Sequence, residues 1–395
     1  MEHNILETNL LGFMMKSPIM VASSFLTRNA KLMRLAEKNG AGGVSTKAAF
    51  MKVPFSFQPS INVLPHGMGI QANGDARIDY KRAKDIIQEI KQDTQMMILG
   101  NVMGSGMDLE SWQHVAQELE EAGADAMELD LACPNRAMGA TLKAPPGTMI
   151  AQYAHMSKDV TEAVKAVVHI PITCKLTAVV SSLREVAEAC EEAGADAITV
   201  TNGLPGVPPI DIWDDGSISF MKLDKSNLGG VVGPPIFYQA CNAVAQVSQA
   251  TKIPVIGCGG ITTWQDAVQM IMWGANALQI CTGITLYGFK LIDDINRGLE
   301  YFMTEKGYST IDDFRGAALQ NILPPEQLEF QDLYLTVRQD LCNLCMRCLS
   351  IGPCLAISFR DNAIYLDNDE CITCGTCIGV CPQRAIEFHP KVAVA

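Results

Sequence analysis

Apolar and polar positions along the chain fall into a repeating unit. From Glu120 to Asn135 the sequence EEAGADAMELDLACPN runs from the polar end of a helix, through a glycine stop at Gly123, into an apolar strand over Ala126 to Leu131. A reactive side chain follows just past the strand. The unit returns 71 residues later as EEAGADAITVTNGLPG (Glu191 to Gly206), in looser form as WGANALQICTG (Trp273 to Gly283), and weakly as NGAGGVSTK (Asn39 to Lys47). Repeats of helix, glycine stop, β-rich strand and polar strand end are the trace of a (β/α)8 barrel, a TIM barrel of α/β class. Chemistry in such a barrel gathers at the C-terminal strand ends. Lys47, Cys133, Asn202 and Cys281 are therefore expected at one mouth.

The remaining strands follow from the same alternation. Pro18 to Ser24 is the first, preceded by a short hairpin, and Gly42 to Lys47 the second; Met96 to Val102 and Pro171 to Thr177 are the third and fifth. Strand six ends at Asn202, Pro254 to Thr262 is strand seven, and ALQICTG is strand eight. Leu109, Trp112, Val115, Ala116, Leu119 and Ala122 recur at helical spacing. Ser182 and Glu185 form a capping-box signature, and the last barrel helix is expected over Tyr287 to Met303. Between Lys52 and Asp79 the chain is rich in Pro, Gly and aromatics, too long for an idle connection; a loop over the active site is expected. Arg136 to Met149 reads as a mobile lid.

With 395 residues the chain has room for one large α/β domain and a smaller one. The barrel is expected over 1–306, a linker over 307–337 around Pro324-Pro325, and a second domain over 338–395. A net charge of −13 argues against nucleic acid as a partner. No apolar run reaches the roughly 20 residues of a membrane span, and the N-terminus lacks a basic leader segment. Fourteen cysteines without a secretion signal point to a reducing, cytoplasmic setting and to metal or catalysis.

Those cysteines concentrate in the tail. Cys371, Cys374, Cys377 and Cys381, followed by Pro382, form the C-x2-C-x2-C-x3-C-P run of bacterial ferredoxins. Cys342, Cys345 and Cys348 repeat the spacing, with Cys354 six positions further on. A structural zinc site fits less well, because it lacks the third close cysteine and the Cys-Pro ending. In two-cluster ferredoxins the fourth cysteine of a run ligates the other cluster. Cys342, Cys345, Cys348 and Cys381 are thus expected around one [4Fe–4S] cluster, and Cys371, Cys374, Cys377 and Cys354 around a second.

Clusters pass single electrons, so the barrel is expected to hold a cofactor that handles one and two. No G-x-G-x-x-G follows a strand, whereas Gly259-Gly260 and Cys281-Thr282-Gly283 stand where barrels bind phosphate, after strands seven and eight. FMN meets both demands. Gly-Gly after a strand is equally well a plain turn.

Taken in order, STK, ELDLACPN, CKLT, TVTN, GGVVG, GCGGI and LQICTG resemble the dihydroorotate dehydrogenase superfamily of FMN barrels. With the tail, the likeness extends to the flavoprotein subunits of bacterial NAD-dependent dihydropyrimidine dehydrogenases, over about Leu10 to Glu387. The resemblance implies catalytic roles for Cys133, as proton donor or acceptor to a ring carbon, and for Lys47 and Lys175 beside the flavin. An ordinary thiol pKa of about 8.5 would keep Cys133 a proton donor at neutral pH. Flavin contacts are implied for Ala22, Ser23, Lys47, Lys175, Gly233, Cys258, Gly259, Gly260, Cys281 and Thr282, and substrate contacts for Asn73, Asp130, Asn135 and Asn202. By themselves these residues read more plainly: Cys133 as a small buried hydrophobe, the lysines as reaching for water, Asn73 as a turn residue.

Three pocket positions depart from the family pattern. Asp130 stands where an asparagine is usual, Ala132 replaces a serine, and Gly203 a threonine. The implied function is an FMN and iron–sulfur oxidoreductase acting on a ring C=C bond conjugated to a carbonyl, dihydropyrimidine dehydrogenase-like, with a small cyclic substrate. The nucleotide-binding half of the family is absent, so a separate NAD(P)-dependent flavoprotein subunit or a ferredoxin would exchange electrons, within an oligomer. The alternatives are a reductase of a non-pyrimidine cyclic enone or phenolic ring, and an electron-transfer subunit without substrate chemistry of its own.

Overall fold

The computed structural model describes residues 4–53, 61–63, 70–72, 77–104, 108–133, 150–218, 225, 229–329, 331–352 and 354–391. Two compact units divide the chain, Met1–Ile322 and Leu323–Ala395.

The first unit is a closed barrel of eight parallel strands: β1 (Ile19–Val21), β2 (Gly43–Ser45), β3 (Met97–Val102), β4 (Ala126–Asp130), β5 (Ile172–Leu176), β6 (Ala197–Val200), β7 (Val255–Cys258) and β8 (Ala277–Ile280). Each pairs with the next, and β8 closes on β1 through Leu278 opposite Ile19. The surrounding helices are α1 (Ala30–Lys38), α2 (Tyr80–Ile90), α3 (Leu109–Glu121), α4 (Ala154–Lys165), α5 (Leu183–Glu192), α6 (Phe237–Ala250), α7 (Trp264–Met272) and α8 (Lys290–Lys306).

The glycine of all four sequence repeats is a helix stop with positive φ: Gly40 at 92°, Gly123 at 99°, Gly194 at 90° and Gly274 at 112°. Only glycine adopts such backbone without strain. Two residues on, Asp125 accepts from Ile98 N, Asp196 from Ile172 N and Asn276 from Val255 N, at 2.8, 2.8 and 3.0 Å. Each side chain thus ties its own strand's entry to the start of the strand before it. In the weakest repeat the equivalent residue is Gly42, where a Cβ would lie 2.0 Å from Ser17 O. There Ser17 Oγ accepts from Ile19 N instead.

Side chains alternate between the two barrel faces. Outward residues such as Val44, Ile98, Leu129, Cys174, Ile198 and Leu278 join the helices in one core. Inward, the N-terminal end is closed by Met20, Met97, Leu99, Ala126, Ile256 and Ala277, with Leu10 and Met15 from the hairpin Thr8–Leu10/Phe13–Met15. Towards the C-terminal end the inward positions turn polar.

Connections after β2 and β6 meet in a four-stranded antiparallel sheet: Ile61–Val63 with Ile70–Ala72, Ile70–Ala72 with Gly229–Val232, and Gly229–Val232 with Leu204–Gly206. The long stretch read as a loop therefore carries strands. The lid expected over 136–149 lies outside the described residues. Ser182 Oγ accepts from Glu185 N at 3.3 Å, but among the described residues only Thr263–Asp266 and two 3-10 turns close both bonds of a capping box. The last helix begins later than its periodicity indicates, because a short helix, Thr282–Tyr287, first turns the chain at Gly288.

The stretch 307–337, expected as a linker, is taken up by both units. Ile311 and Phe314 are buried in the barrel core, Phe314 stacking on Tyr308, and Gly316 N donates to Ile271 O. Leu333–Val337 pairs antiparallel with Ile386–Pro390 in the second unit. A hairpin, Ile357–Arg360/Ala363–Leu366, completes that unit's sheets, and Leu335, Ile357, Ile364 and Ile386 share its core with Cys348 and Cys377.

Candidate active site and cluster centre

Beneath the barrel mouth lies a buried polar layer built around Glu128, at the centre of β4. The carboxylate accepts from Ser45 Oγ (2.5 Å), Asn101 Nδ2 (2.7 Å), Gln279 Nε2 (2.5 Å) and Thr199 Oγ1 (3.0 Å). Lys175 Nζ donates to Gln279 Oε1 at 2.8 Å and stands 3.7 Å from Glu128 Oε2. All of these side chains are buried. Burial alone would push Glu128 towards neutrality, but the Lys175 charge and the three shortest hydrogen bonds hold its carboxyl below the usual range. Burial works against charged Lys175 as well; Glu128 opposes it most strongly, and together with Cys258, Asp130 and Cys281 it outweighs burial, so Lys175 is held protonated more firmly than a free lysine. Asn101 Oδ1, also buried, has no partner among the described residues.

One step nearer the mouth, Asp130 faces Lys175 as its register partner on the neighbouring strand. Its Oδ1 accepts from Ala132 N (3.2 Å) and Asn202 Nδ2 (3.3 Å). Burial raises its pKa; Lys175 and Arg77 pull the other way, and Glu128 adds to the rise. Cys133, three positions past Asp130, is 4% exposed and packs with Ala48, Phe50 and Met103. Arg77 Nη2 donates to its sulfur at 2.8 Å.

The strand ends bring the expected mouth together. Ala22 and Ser23 follow β1; Lys47, 1% exposed, lies two residues past β2; Asn202 lies two past β6. Cys258 ends β7, and burial raises its thiol to about 11 against the pull of Lys175. Gly259 and Gly260 then turn at φ 132° and 78°, and a Cβ on Gly260 would come within 2.6 Å of Phe237. Cys281 and Thr282 open the short helix after β8. Gly233 differs, since it follows the outer strand Gly229–Val232 rather than a barrel strand. Asn73 and Asn135 lie outside the described residues.

Two buried cations, an unsatisfied buried acceptor and a glycine turn too tight for any side chain suit a flat, anionic, phosphate-bearing cofactor. Lys47, Lys175, Gly259, Gly260 and Thr282 would hold FMN there.

Glu128, Gln279, Asn101 and Arg77 do not stand out in the sequence. A signal existed for the first two: Glu128 precedes Asp130 by two, and Gln279 interrupts the apolar ALQI, so both mark inward positions of their strands. Arg77 reaches Cys133 across 56 positions of chain, a contact no local pattern carries.

In the second unit Cys342, Cys345, Cys348 and Cys381 line one cavity with Val337, Ile364, Ala385 and Ile386. Cys377 lies within the electrostatic reach of Cys371 and Cys374, and burial raises its thiol. Each cysteine run turns left-handed at the same offsets, at Leu344 and Met346 in the first and at Thr373 and Gly375 in the second. Three of these four are not glycine, a strain retained where backbone geometry serves a site. Cys354 is exposed and does not line the cavity.

Among the described residues no helix is long and apolar enough to cross a membrane. A profile of the dihydroorotate dehydrogenase family matches residues 5–303, and one of the 4Fe-4S binding domain matches residues 364–387. The chain is 36% identical over 317 residues to the dihydroorotate dehydrogenase B (NAD(+)) catalytic subunit of Pyrococcus abyssi, covering 80% of this chain and 100% of that one. The Thermococcus kodakarensis protein of the same description is 33% identical, covering 80% and 98%. The NAD-dependent dihydropyrimidine dehydrogenase subunit PreA of Escherichia coli is 28% identical over 267 residues, 66% of this chain and 63% of that one. The chain belongs to the dihydroorotate dehydrogenase family, FMN-type oxidoreductases, and carries an iron–sulfur domain.

Proposed function

We propose that the chain is the catalytic subunit of an oxidoreductase acting on the C–C bond of a ring, the double bond being conjugated to a carbonyl. The observation that carries this reading is the grouping at one barrel mouth of a buried thiol, Cys133, with the buried cations Lys47 and Lys175. FMN, when bound, would exchange two electrons with the ring and single electrons with the clusters. Cys133 would handle the proton on the neighbouring ring carbon. Lys175, kept charged by Glu128, and Lys47 would favour negative charge developing at the mouth. Asp130 and Asn202, joined at 3.3 Å, would bind the polar edge of the ring.

Two [4Fe–4S] clusters would connect this site to a separate electron carrier, an NAD(P)-dependent flavoprotein subunit or a ferredoxin, as the relatives' names as subunits suggest. The four-cysteine cavity supports one cluster, and the matching left-handed turns of the second run support another. Cys354 remains the proposed fourth ligand of the second.

Asp130 favours a ring other than uracil or thymine. An amide would both donate to and accept from a carbonyl and N–H edge, whereas a carboxylate only accepts. A substrate presenting a hydroxyl or amino donor suits it better, within a pocket that lacks hydroxyls at Ala132 and Gly203. Anaerobic screening of cyclic enones, phenolic rings and pyrimidines for reoxidation of the reduced flavin tests both levels. Reoxidation by none of them would count against the reaction class, and uracil outperforming the rest would count against the Asp130 argument.

A further inference from the structure

Sequence alone makes Cys133 an ordinary thiol, but the fold sets a cation against it. Arg77 immediately precedes the strand Ile78–Asp79, which pairs in parallel with Ala49–Phe50 beside the end of β3. That pairing fixes Arg77 over the cysteine: its guanidinium lies 5.9 Å from the Phe50 ring centroid, and Nη2 donates to Cys133 Sγ at 2.8 Å. A guanidinium keeps its charge at every accessible pH and can only donate. Its preferred acceptor is therefore a thiolate.

We propose that Arg77 holds Cys133 as its thiolate, so that the resting site is armed with a proton acceptor. This rests on the reading of Cys133 as the group that handles the ring proton. Among the described residues the apolar Ala48, Phe50 and Met103 pack on Cys133, and the cysteine is buried, so little water screens the pair. Among the described residues, charged groups around the mouth include Lys47, next to Ala48, Lys175 on β5 with Glu128 beneath it, and Asp130, three residues back from Cys133 and within the field of Arg77. Burial of the sulfur and the Asp130 charge both oppose a thiolate. A hydrogen-bonded cation at contact distance wins in comparable settings, where cysteine pKa values fall to about 3.5–7.5.

The consequence concerns direction. To oxidise a saturated ring, one C–H bond gives its proton to Cys133 Sγ and its electron pair to the new C=C. The hydrogen on the adjacent carbon would leave with its own electron pair, which FMN, when bound, would take up as a two-electron acceptor. Reduction runs the same steps backwards and needs the sulfur reloaded with a proton first. Arg77 therefore biases the neutral-pH site towards oxidation.

The test is an anaerobic pH titration of thiolate absorbance in the far ultraviolet, using the flavin-loaded chain with Cys133→Ser as the subtracted reference to cancel the other cysteines and the cofactors. The difference should show a step below about pH 7.5. Arg77→Gln should move it up by at least about one unit, towards 8.5, while Arg77→Lys, which keeps a cation, retains most of the shift. A step at or above about 8.5 in the unaltered chain overturns the proposal by itself, whether or not any Arg77 variant folds. So does a step unmoved by Arg77→Gln in flavin-loaded protein. The titration reads the sulfur directly, so its outcome is separate from whether Cys133 takes part in turnover.

Discussion

Lys175 Nζ stands 3.7 Å from Glu128 Oε2 inside the barrel, with both side chains essentially out of contact with solvent. A lysine buried without a counter-charge would shed its proton. Glu128 keeps this one charged at the point where the strand ends open, and Lys175 itself with hydrogen bonds from Ser45, Gln279 and Asn101 keeps Glu128 charged in turn. Glu128→Ala should therefore cost about 3–5 kcal/mol, the usual penalty for leaving one member of a buried pair alone. Denaturant unfolding of the flavin-loaded chain measures it. A loss under about 1 kcal/mol would mean the pair behaves like an exposed one.

Cys133→Ala should retain flavin and iron but lose turnover by roughly 10²–10⁴-fold, as expected when an acid–base group is removed. Cofactor absorbance and steady-state rates check the two halves. Undiminished turnover would move the proton role to another residue.

Much of this arrangement was legible in the sequence, and what was missed has a common cause. The repeats announced the barrel because each must stop a helix with a left-handed glycine and then anchor a strand, as Gly123 with Asp125 and Gly194 with Asp196 do. Cys133 and Lys175 were found because they stand at or near strand ends. Glu128 sits mid-strand within a run that reads as core, and its partners come from five other strands. Arg77 depends on a parallel strand pair within a stretch that shows no periodicity. Local patterns carry local geometry; both misses are contacts between residues far apart in sequence.

Asp130 gives the substrate a pH signature. Burial raises its pKa, so as pH falls through that value Asp130 gains a proton and becomes a donor. Rates with a carbonyl-presenting ring should then rise relative to a donor-presenting one as pH is lowered. Asp130→Asn should flatten this ratio and improve uracil and thymine. A ratio independent of pH in the unaltered chain would place the carboxylate away from the ring.

Electrons are expected to leave or enter through the tail. The isolated chain should not oxidise NADH or NADPH at a useful rate, having no dinucleotide fingerprint, but should exchange electrons with a low-potential dye or ferredoxin. Cys371→Ala should impair that exchange. Stopped-flow bleaching of the flavin follows both, and rapid NADH oxidation by the pure chain would reveal a nucleotide site in the barrel.

What the flavin does with a ring decides most directly between a catalytic barrel and an electron relay. The chain, purified anaerobically, should carry one FMN and about eight irons, as two four-iron clusters require; it is then reduced and mixed with a panel of cyclic compounds whose ring C=C is conjugated to a carbonyl. At least one should reoxidise the flavin within the time of a single turnover, and Cys133→Ala should slow that step while leaving reoxidation by a dye of higher potential than the flavin intact. If every ring compound leaves the flavin reduced while the dye reoxidises it at once, the barrel is only a relay for electrons, and the catalytic reading fails.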